Sequence, residues 1–99
     1  MTYRKEKISI EYFENGGVFY SEKNDKFYAL DELGAEIWKY IDSFEVIEFK
    51  QLVMHLLKQY KIDESELSRD LLTYLDTLIE FGALSKIDGD WYVKKIQVV

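Results

Sequence analysis

A short apolar strand that runs directly into a helix is the feature that most constrains this fold. The strand is Phe27-Tyr28-Ala29-Leu30, and Asp31 follows it. The Asp31 carboxylate can accept the unpaired amide protons of a helical turn and face the positive end of the helix dipole. We predict a helix over residues 32–41, whose buried stripe is Leu33, Ile37, Trp38 and Ile41. Gly34 in its first turn costs up to ~1 kcal/mol relative to Ala and indicates a close backbone approach.

Two further strands are predicted before this junction. Residues 7–13 alternate in the period of a strand with one buried face, and Asn15-Gly16-Gly17 supplies the positive-φ residues of a tight hairpin. Residues 18–20 form the returning strand, and a polar turn over residues 23–26 leads into residues 27–30. The first thirty or so residues therefore predict a three-stranded antiparallel sheet.

The second half of the chain predicts two more helices and a hairpin. Residues 42–48 are typical of a loop, and apolar side chains recur at helical spacing over residues 49–60. Asp63 and Glu66 form a variant of the capping box at the start of a helix that ends near Phe81, with Gly82 as a left-handed C-terminal cap. Residues 83–87 and 91–93 flank an Asp-Gly turn and predict a C-terminal β-hairpin.

These elements predict one α+β domain over residues 1–99, a winged helix-turn-helix-like fold with three helices. Hydrophobic residues make up 47% of the chain, enough for a single core. The absence of cysteine excludes disulfides, thiolate catalysis and zinc fingers. A formal net charge of −6 opposes attraction to nucleic acid or anionic lipid. No segment has the roughly 20 apolar residues of a membrane helix, so we expect a cytoplasmic protein.

Catalytic and metal-binding patterns are weak in this sequence. His55 is the only histidine, lies away from the apolar stripe of its helix, and has no clustered second ligand. The acidic pairs Asp63-Glu64 and Asp88/Asp90 fit helix-cap and turn positions better than a catalytic cleft. Phosphate loops, nucleophile elbows and Ser-His-Asp sets are missing. We therefore expect neither an enzyme nor a cofactor.

The order of several motifs resembles the PqqD family of pyrroloquinoline quinone biosynthesis and the wider class of precursor-peptide recognition elements of ribosomally synthesised, modified peptides. The resemblance covers residues 18–84. It rests on Ala29-Leu30-Asp31, Gly34-Ala35-Glu36-Ile37-Trp38, Leu52 with Leu56 and Tyr60, and Asp70-Leu71-Leu72-Thr73-Tyr74-Leu75 with Leu78, Gly82 and Leu84. Asp31, Tyr74 and Ala83 depart from the usual Asn, Phe and Leu of the family, without changing an expected chemical role.

The resemblance implies that the chain binds the leader of a precursor peptide by strand addition and delivers it to a modifying enzyme. The leader would pair with the third predicted strand and lie against the third helix, between residues 27–30 and residues 70–79. The implied peptide-binding residues are Phe27, Tyr28, Ala29, Leu30, Asp70, Leu71, Tyr74, Thr77 and Leu78. Leu71, Tyr74, Leu75 and Leu78 would form the floor, although each of these also fits ordinary core. The implied enzyme is a radical SAM protein or a leader protease and cyclase.

Two other functions fit the same architecture. A winged-helix regulator would bind DNA through its third helix, but Arg69 shares that helix with Asp76 and Glu80, and the acidic balance of the chain opposes such binding. A homodimeric interaction module would pair the exposed strand with its own copy. The sequence leaves this alternative open.

Overall fold

The computed structural model describes residues 1–22 and 24–87 and shows an α+β fold. Its strands are β1 (Thr2–Lys5), β2 (Ser9–Phe13), β3 (Gly16–Ser21), β4 (Lys26–Leu30), β5 (Val46–Glu48) and β6 (Leu84–Ile87). Its helices are α1 (Glu32–Asp42), α2 (Phe49–Gln59) and α3 (Glu64–Phe81). The predicted α+β class with three helices and a three-stranded N-terminal sheet is confirmed. The turn and second strand of the predicted C-terminal hairpin, residues 88–93, lie outside the described residues.

The strands β2, β3 and β4 form the predicted antiparallel meander. Ile10 lies opposite Phe19, and Phe19 lies opposite Tyr28, so these three side chains share one face of the sheet. The β2–β3 turn consists of Glu14 and Asn15, and Gly16 and Gly17 belong to β3, which corrects the predicted turn. Gly16 has a φ of 153°, and a Cβ there would lie 2.2 Å from the Leu30 carbonyl oxygen. Gly16 is therefore required by its close approach to the end of β4.

A second sheet has the order β5-β1-β6, and two of its strands were not predicted. Thr2 pairs with Glu48 on one side and with Ile87 on the other. The prediction of a loop over residues 42–48 is therefore wrong at its end, because residues 46–48 form β5. Strands of three or four residues carry too little alternation to be recognised, and both partners of β1 are distant in sequence.

Both predicted N-caps are confirmed by hydrogen bonds. Asp31 Oδ1 accepts from the Gly34 amide at 2.7 Å, and Asp63 Oδ2 accepts from the Glu66 amide at 3.1 Å. Gly82 ends α3 in the left-handed conformation, with its amide donating to Leu78 and Ile79. A Cβ on Gly34 would lie 3.0 Å from Asp31 Oδ1, so the close approach at this glycine comes from the capping carboxylate.

The core lies between the meander, the three helices and the second sheet. Phe19 is fully buried and meets Trp38 edge to face, with ring centroids 4.8 Å apart. The helices contribute buried apolar stripes: Ala35, Ile37, Trp38 and Ile41 from α1, Leu52, Val53 and Leu56 from α2, and Leu67, Leu71, Leu75 and Leu78 from α3. Leu33 was predicted in the α1 stripe but is 44% exposed, because its position in the first turn points away from this core.

Candidate functional site

The strand β4 is an open edge of the meander. In the described part of the chain it pairs with β3 on one side, and no described strand pairs with its other side. An edge strand presents unpaired amide and carbonyl groups at a regular repeat, and these can pair with another extended chain. The strand β2 is the second edge of the same sheet, so a further feature is needed to decide between them.

A groove of about 420 Å³ lies beside β4 and provides that feature. Its wall on the sheet side is Tyr28, Ala29 and Leu30. The opposite wall is the N-terminal half of α3, with Leu67, Asp70, Leu71 and Tyr74. The rest of the lining comes from the start of α1 and from the segment before α3, with Asp31, Leu33, Gly34, Ile37 and Ile62. The groove thus joins an open backbone edge to a largely apolar depression.

A chain of hydrogen bonds fixes the shape of the groove between α1 and α3. The Tyr74 hydroxyl donates to the Gly34 carbonyl oxygen at 2.7 Å, and the Gly34 amide donates to Asp31. Burial raises the pKa of the Tyr74 phenol, and the nearby Tyr28 and Asp31 raise it further. The phenol therefore remains a protonated donor at neutral pH, and the start of α1 is held against the middle of α3.

The structure brings together six of the residues that the family resemblance implied. Tyr28, Ala29 and Leu30 face Asp70, Leu71 and Tyr74 across the groove. Tyr28 is half-buried and packs against Phe19 and Phe81, with ring centroids 6.5 Å and 5.6 Å away.

The other three implied residues lie outside the groove. Phe27 is 69% exposed and packs against Tyr20 on the opposite face of the sheet, with ring centroids 4.9 Å apart. Thr77 donates to the Thr73 carbonyl within its own helix. Leu78 is fully buried, as is Leu75, because the core stripe of α3 follows these positions. The α3 residues that line the groove therefore lie within residues 67–74, whereas the resemblance implies residues 70–79.

Sequence reasoning missed several groove residues. Leu33 and Ile62 are large apolar side chains that are 44% and 37% exposed at the groove. Helical periodicity predicts Leu33 in the core stripe of α1, and Ile62 lies in a short connection that has no periodicity. The sequence does contain a partial indication that Leu33 could line the groove. Leu33 lies in the first turn after the N-cap of α1, where a side chain can face either the preceding strand or the core.

A larger cavity of about 1100 Å³ lies near the C-terminal end of α3. Its lining includes Ile8, Tyr20, Ile79 and Phe81, with Lys7 and three glutamates on its rim, and it takes no residue from β4. Because this cavity lacks contact with the β4 edge, we place the candidate peptide site at the smaller groove.

The remaining candidate features show no site within residues 1–22 and 24–87. Groups of three metal-ligating side chains are absent from this part of the chain. His55 was expected to be solvated, but it is half-buried and stacks on Tyr40, with ring centroids 3.6 Å apart. None of the described helices has the length and apolar character needed to span a bilayer.

Two solved structures share the fold of this chain. TbiB1 in complex with the TbiA(beta) leader peptide superimposes with a TM-score of 0.75 and 18% identity over 86% of this chain and 96% of that one. A lasso peptide synthetase B1 complexed with the leader peptide gives a TM-score of 0.69 and 19% identity over 85% and 98% of the two chains. At such identities the likeness establishes a shared fold. No curated protein sequence matches this chain significantly.

A family profile gives the stronger assignment. The profile described as Coenzyme PQQ synthesis protein D (PqqD) matches residues 16–84, from the start of β3 to the start of β6. The matched segment is well over half of the chain and contains the open strand, the groove and all three helices. This chain therefore belongs to the PqqD family.

Proposed function

We propose that this chain binds the leader segment of a ribosomally synthesised precursor peptide. The leader adds to β4 as a further antiparallel or parallel strand, and its groove-facing side chains pack against Leu71 and Tyr74 of α3. The main observation behind this proposal is that an open strand edge lies beside an apolar groove. Family membership supports it, as do the two similar proteins whose structures contain leader peptides.

The energetics require both parts of the site. A backbone hydrogen bond contributes about 0.5–1.5 kcal/mol net, whereas ordering a flexible peptide costs about 2–5 kcal/mol or more. A few hydrogen bonds alone therefore barely offset the ordering cost. Two or three buried apolar side chains at about 1.5–3 kcal/mol each bring the total near −8 kcal/mol, which corresponds to micromolar affinity. The exposed apolar side chains of Leu33 and Ile62 offer such contacts.

In this proposal residues 1–99 act as one non-catalytic domain in the cytoplasm. The bound leader leaves the rest of the precursor available to a modifying enzyme, such as a radical SAM protein or a leader protease and cyclase. DNA binding fits the described surface poorly, because the exposed residues of α3 include Asp70, Asp76 and Glu80 beside the single Arg69.

The direct test is titration of a fluorescent leader peptide, taken from a short precursor encoded beside the gene for this chain. We expect micromolar binding by the wild-type protein and weaker binding by Asp70→Ala and Tyr74→Ala. The matched control is His55→Ala, whose side chain lies on α2 away from the groove. Circular dichroism must accompany Tyr74→Ala, because loss of a mostly buried side chain also affects folding.

Hydrogen exchange of the same complex locates the peptide. Strand addition protects backbone amides of β4 and leaves those of β2, the other edge of the sheet, unchanged. Binding that persists with equal strength in all three variants, or protection confined to β2, would remove the β4 groove as the site. Sedimentation across concentrations separates this function from the homodimer, because a peptide reader stays monomeric when leader is added.

A further inference from the structure

The charged side chains that line the groove are all acidic. Among the described residues, Asp31 and Asp70 are the only carboxylates that line it, and no described Lys, Arg or His does so. The remaining polar side chains are the phenols of Tyr28 and Tyr74, and the Tyr74 hydroxyl is already committed to the Gly34 carbonyl. A peptide in this groove therefore meets negative charge against an otherwise apolar surface.

The two carboxylates flank Tyr74 from different helices. Asp70 is four residues before Tyr74 on α3, so the two side chains lie on one face of the helix, one turn apart. Asp31 approaches from α1, where it caps the amide of the same Gly34 whose carbonyl accepts the Tyr74 hydroxyl. The two charges thus line one depression from different elements.

These charges are not equally available to a ligand. Asp31 Oδ1 accepts a helix amide, and the positive end of the α1 dipole offsets part of its charge. Asp31 and Asp70 are both exposed, but within the described residues Asp70 forms no ion pair or side-chain hydrogen bond. The side-chain ion pairs Lys5–Asp42 and Lys39–Glu36 lie elsewhere, and the adjacent Arg69 does not line the groove. Asp70 is the more accessible of the two acceptors.

Apolar side chains surround this acceptor. Leu33 and Ile62 are exposed at the groove, and Leu67 and Leu71 form its wall on either side of Asp70 in the α3 sequence. On an added strand, alternate residues face the same side, so neighbouring groove-facing side chains are two positions apart. One of them can occupy the apolar depression while the next reaches Asp70.

We propose that the groove selects precursor segments in which a Lys or Arg lies two positions from a large apolar residue. The apolar side chain packs against Leu33, Ile62 and Leu71, and the cation pairs with Asp70, with Asp31 as a weaker second acceptor. This specificity rests on the proposed leader binding and names the class of peptide that the site takes. An exposed ion pair changes affinity by about two- to fivefold and is weakened by salt.

The test is selection from a phage-displayed library of random peptides against the full chain, followed by sequencing. We expect enrichment of Lys or Arg two positions from an aromatic or aliphatic residue. The same selection with Asp70→Lys should enrich Asp or Glu at that position. The matched control is Asp76→Lys, an exposed charge reversal on the same helix outside the groove, which should leave the selected pattern unchanged.

A selected peptide then allows a quantitative comparison by fluorescence anisotropy. Replacing its basic residue with Gln should weaken binding to the wild-type chain about two- to fivefold and weaken binding to Asp70→Asn less, because only the weaker acceptor Asp31 remains there. If the wild-type chain and Asp70→Lys enrich the same apolar peptides without a charge preference, the proposed preference for Lys or Arg is wrong and leader binding stands. If no peptide is enriched by the wild-type chain, or enriched peptides fail to protect β4 from hydrogen exchange, leader binding and this specificity are both removed.

Discussion

The two three-stranded sheets of this protein use their strands in opposite ways. In the sheet β5-β1-β6, the central β1 is paired on both sides, and Tyr3 at its middle is 1% exposed. In the meander β2-β3-β4, the strands follow one another in sequence, and β4 is paired on one side among the described residues. The first sheet joins distant parts of the chain, whereas the second leaves a backbone edge beside a groove.

This difference separates stability from binding. A strand whose hydrogen bonds are satisfied on both sides contributes only to the fold, whereas an edge strand keeps part of its bonding capacity for another chain. The α1–α3 contact through Tyr74 belongs with the meander, because it shapes the groove next to that edge. Substitutions in the first sheet should therefore change the free energy of unfolding, and substitutions around β4 should also change peptide affinity.

The largest effect is expected for Tyr3→Ala in the centre of the first sheet. Removing a buried aromatic side chain should lower the free energy of unfolding by about 3–5 kcal/mol, because a cavity remains between β1 and the core. Urea denaturation measures this loss. Phe27→Ala, at a 69% exposed position on β4, is the control and should change stability by no more than about 0.5 kcal/mol. Equal losses would contradict the assignment of β1 to the interior.

Gly16→Ala should have the next largest effect, through the end of β4. A Cβ would collide with the Leu30 carbonyl in addition to the strain of the positive φ, so we expect about 2–5 kcal/mol of destabilisation. Gly82→Ala is the matched control, because it also has a positive φ but meets nothing within 4 Å, and should cost only about 1–2 kcal/mol. Thermal unfolding compares the two. A larger loss for Gly82→Ala would show that Leu30 can move away.

Tyr74→Phe should cost about 1 kcal/mol, because the Gly34 carbonyl loses its donor while the ring remains packed. The substitution also has a predicted pH dependence. The pKa of Tyr74 is raised in the fold, so its contribution is fully present below the ordinary phenol pKa of 10.0 and is lost as pH rises through the higher folded value. Stability measured above pH ~10 should therefore fall less steeply in Tyr74→Phe than in the wild type.

The control for this change is Tyr60→Phe, at a tyrosine of the α2–α3 connection that donates no side-chain hydrogen bond among the described residues. The alkaline slope should change more in Tyr74→Phe than in Tyr60→Phe. The slope will not vanish in Tyr74→Phe, because burial also raises the pKa values of Tyr3 and Tyr12. An identical alkaline slope in the wild type and Tyr74→Phe would contradict the role of the Tyr74 hydroxyl at the groove.

The smallest effect is expected for Glu48→Gln in the first sheet. The Thr2 hydroxyl donates to Glu48 Oε2 at 2.8 Å and holds the pKa of this carboxyl below its usual range. The stabilisation of the fold by ionised Glu48 is therefore present above the pKa that this carboxyl has in the unfolded chain, and it is lost as pH falls through the lower pKa of the folded state. Glu48→Gln should slightly reduce the loss of stability in acid, measured by thermal unfolding between pH 3 and 6 (~1.5 units on either side of the usual carboxyl pKa). Glu45→Gln is the control.

Much of the fold could be predicted because its signals are local. The caps at Asp31 and Asp63, the left-handed Gly82 and the meander each depend on residues close together in sequence. The β1 and β5 strands could not be predicted in the same way. Their three or four residues acquire a regular conformation only when each finds partners more than forty residues away.

For the candidate site too, some residues could be predicted from the sequence and others could not. The segment Tyr28 to Leu30 and the α3 residues Asp70, Leu71 and Tyr74 were anticipated from motif order. Helical periodicity alone does not decide which flank of α3 faces the sheet, so Thr77 and Leu78 are expected at the site although they lie outside this groove. Leu33 and Ile62 line the groove without having been expected there. The direction of a side chain at a helix start or in a connection depends on the neighbouring elements, which a periodic pattern does not contain.

The helices, their caps and the local meander follow from the amino-acid sequence alone, because they depend on short-range periodicity and backbone chemistry, and the order of the motifs indicates the PqqD family. Packing of the elements against one another is what places β4 beside a groove, brings Asp31 and Asp70 to its lining, and puts Leu75 and Leu78 in the core. The physical reason is that a groove is a gap between elements, and its shape depends on how helices and sheet pack together rather than on any one of them.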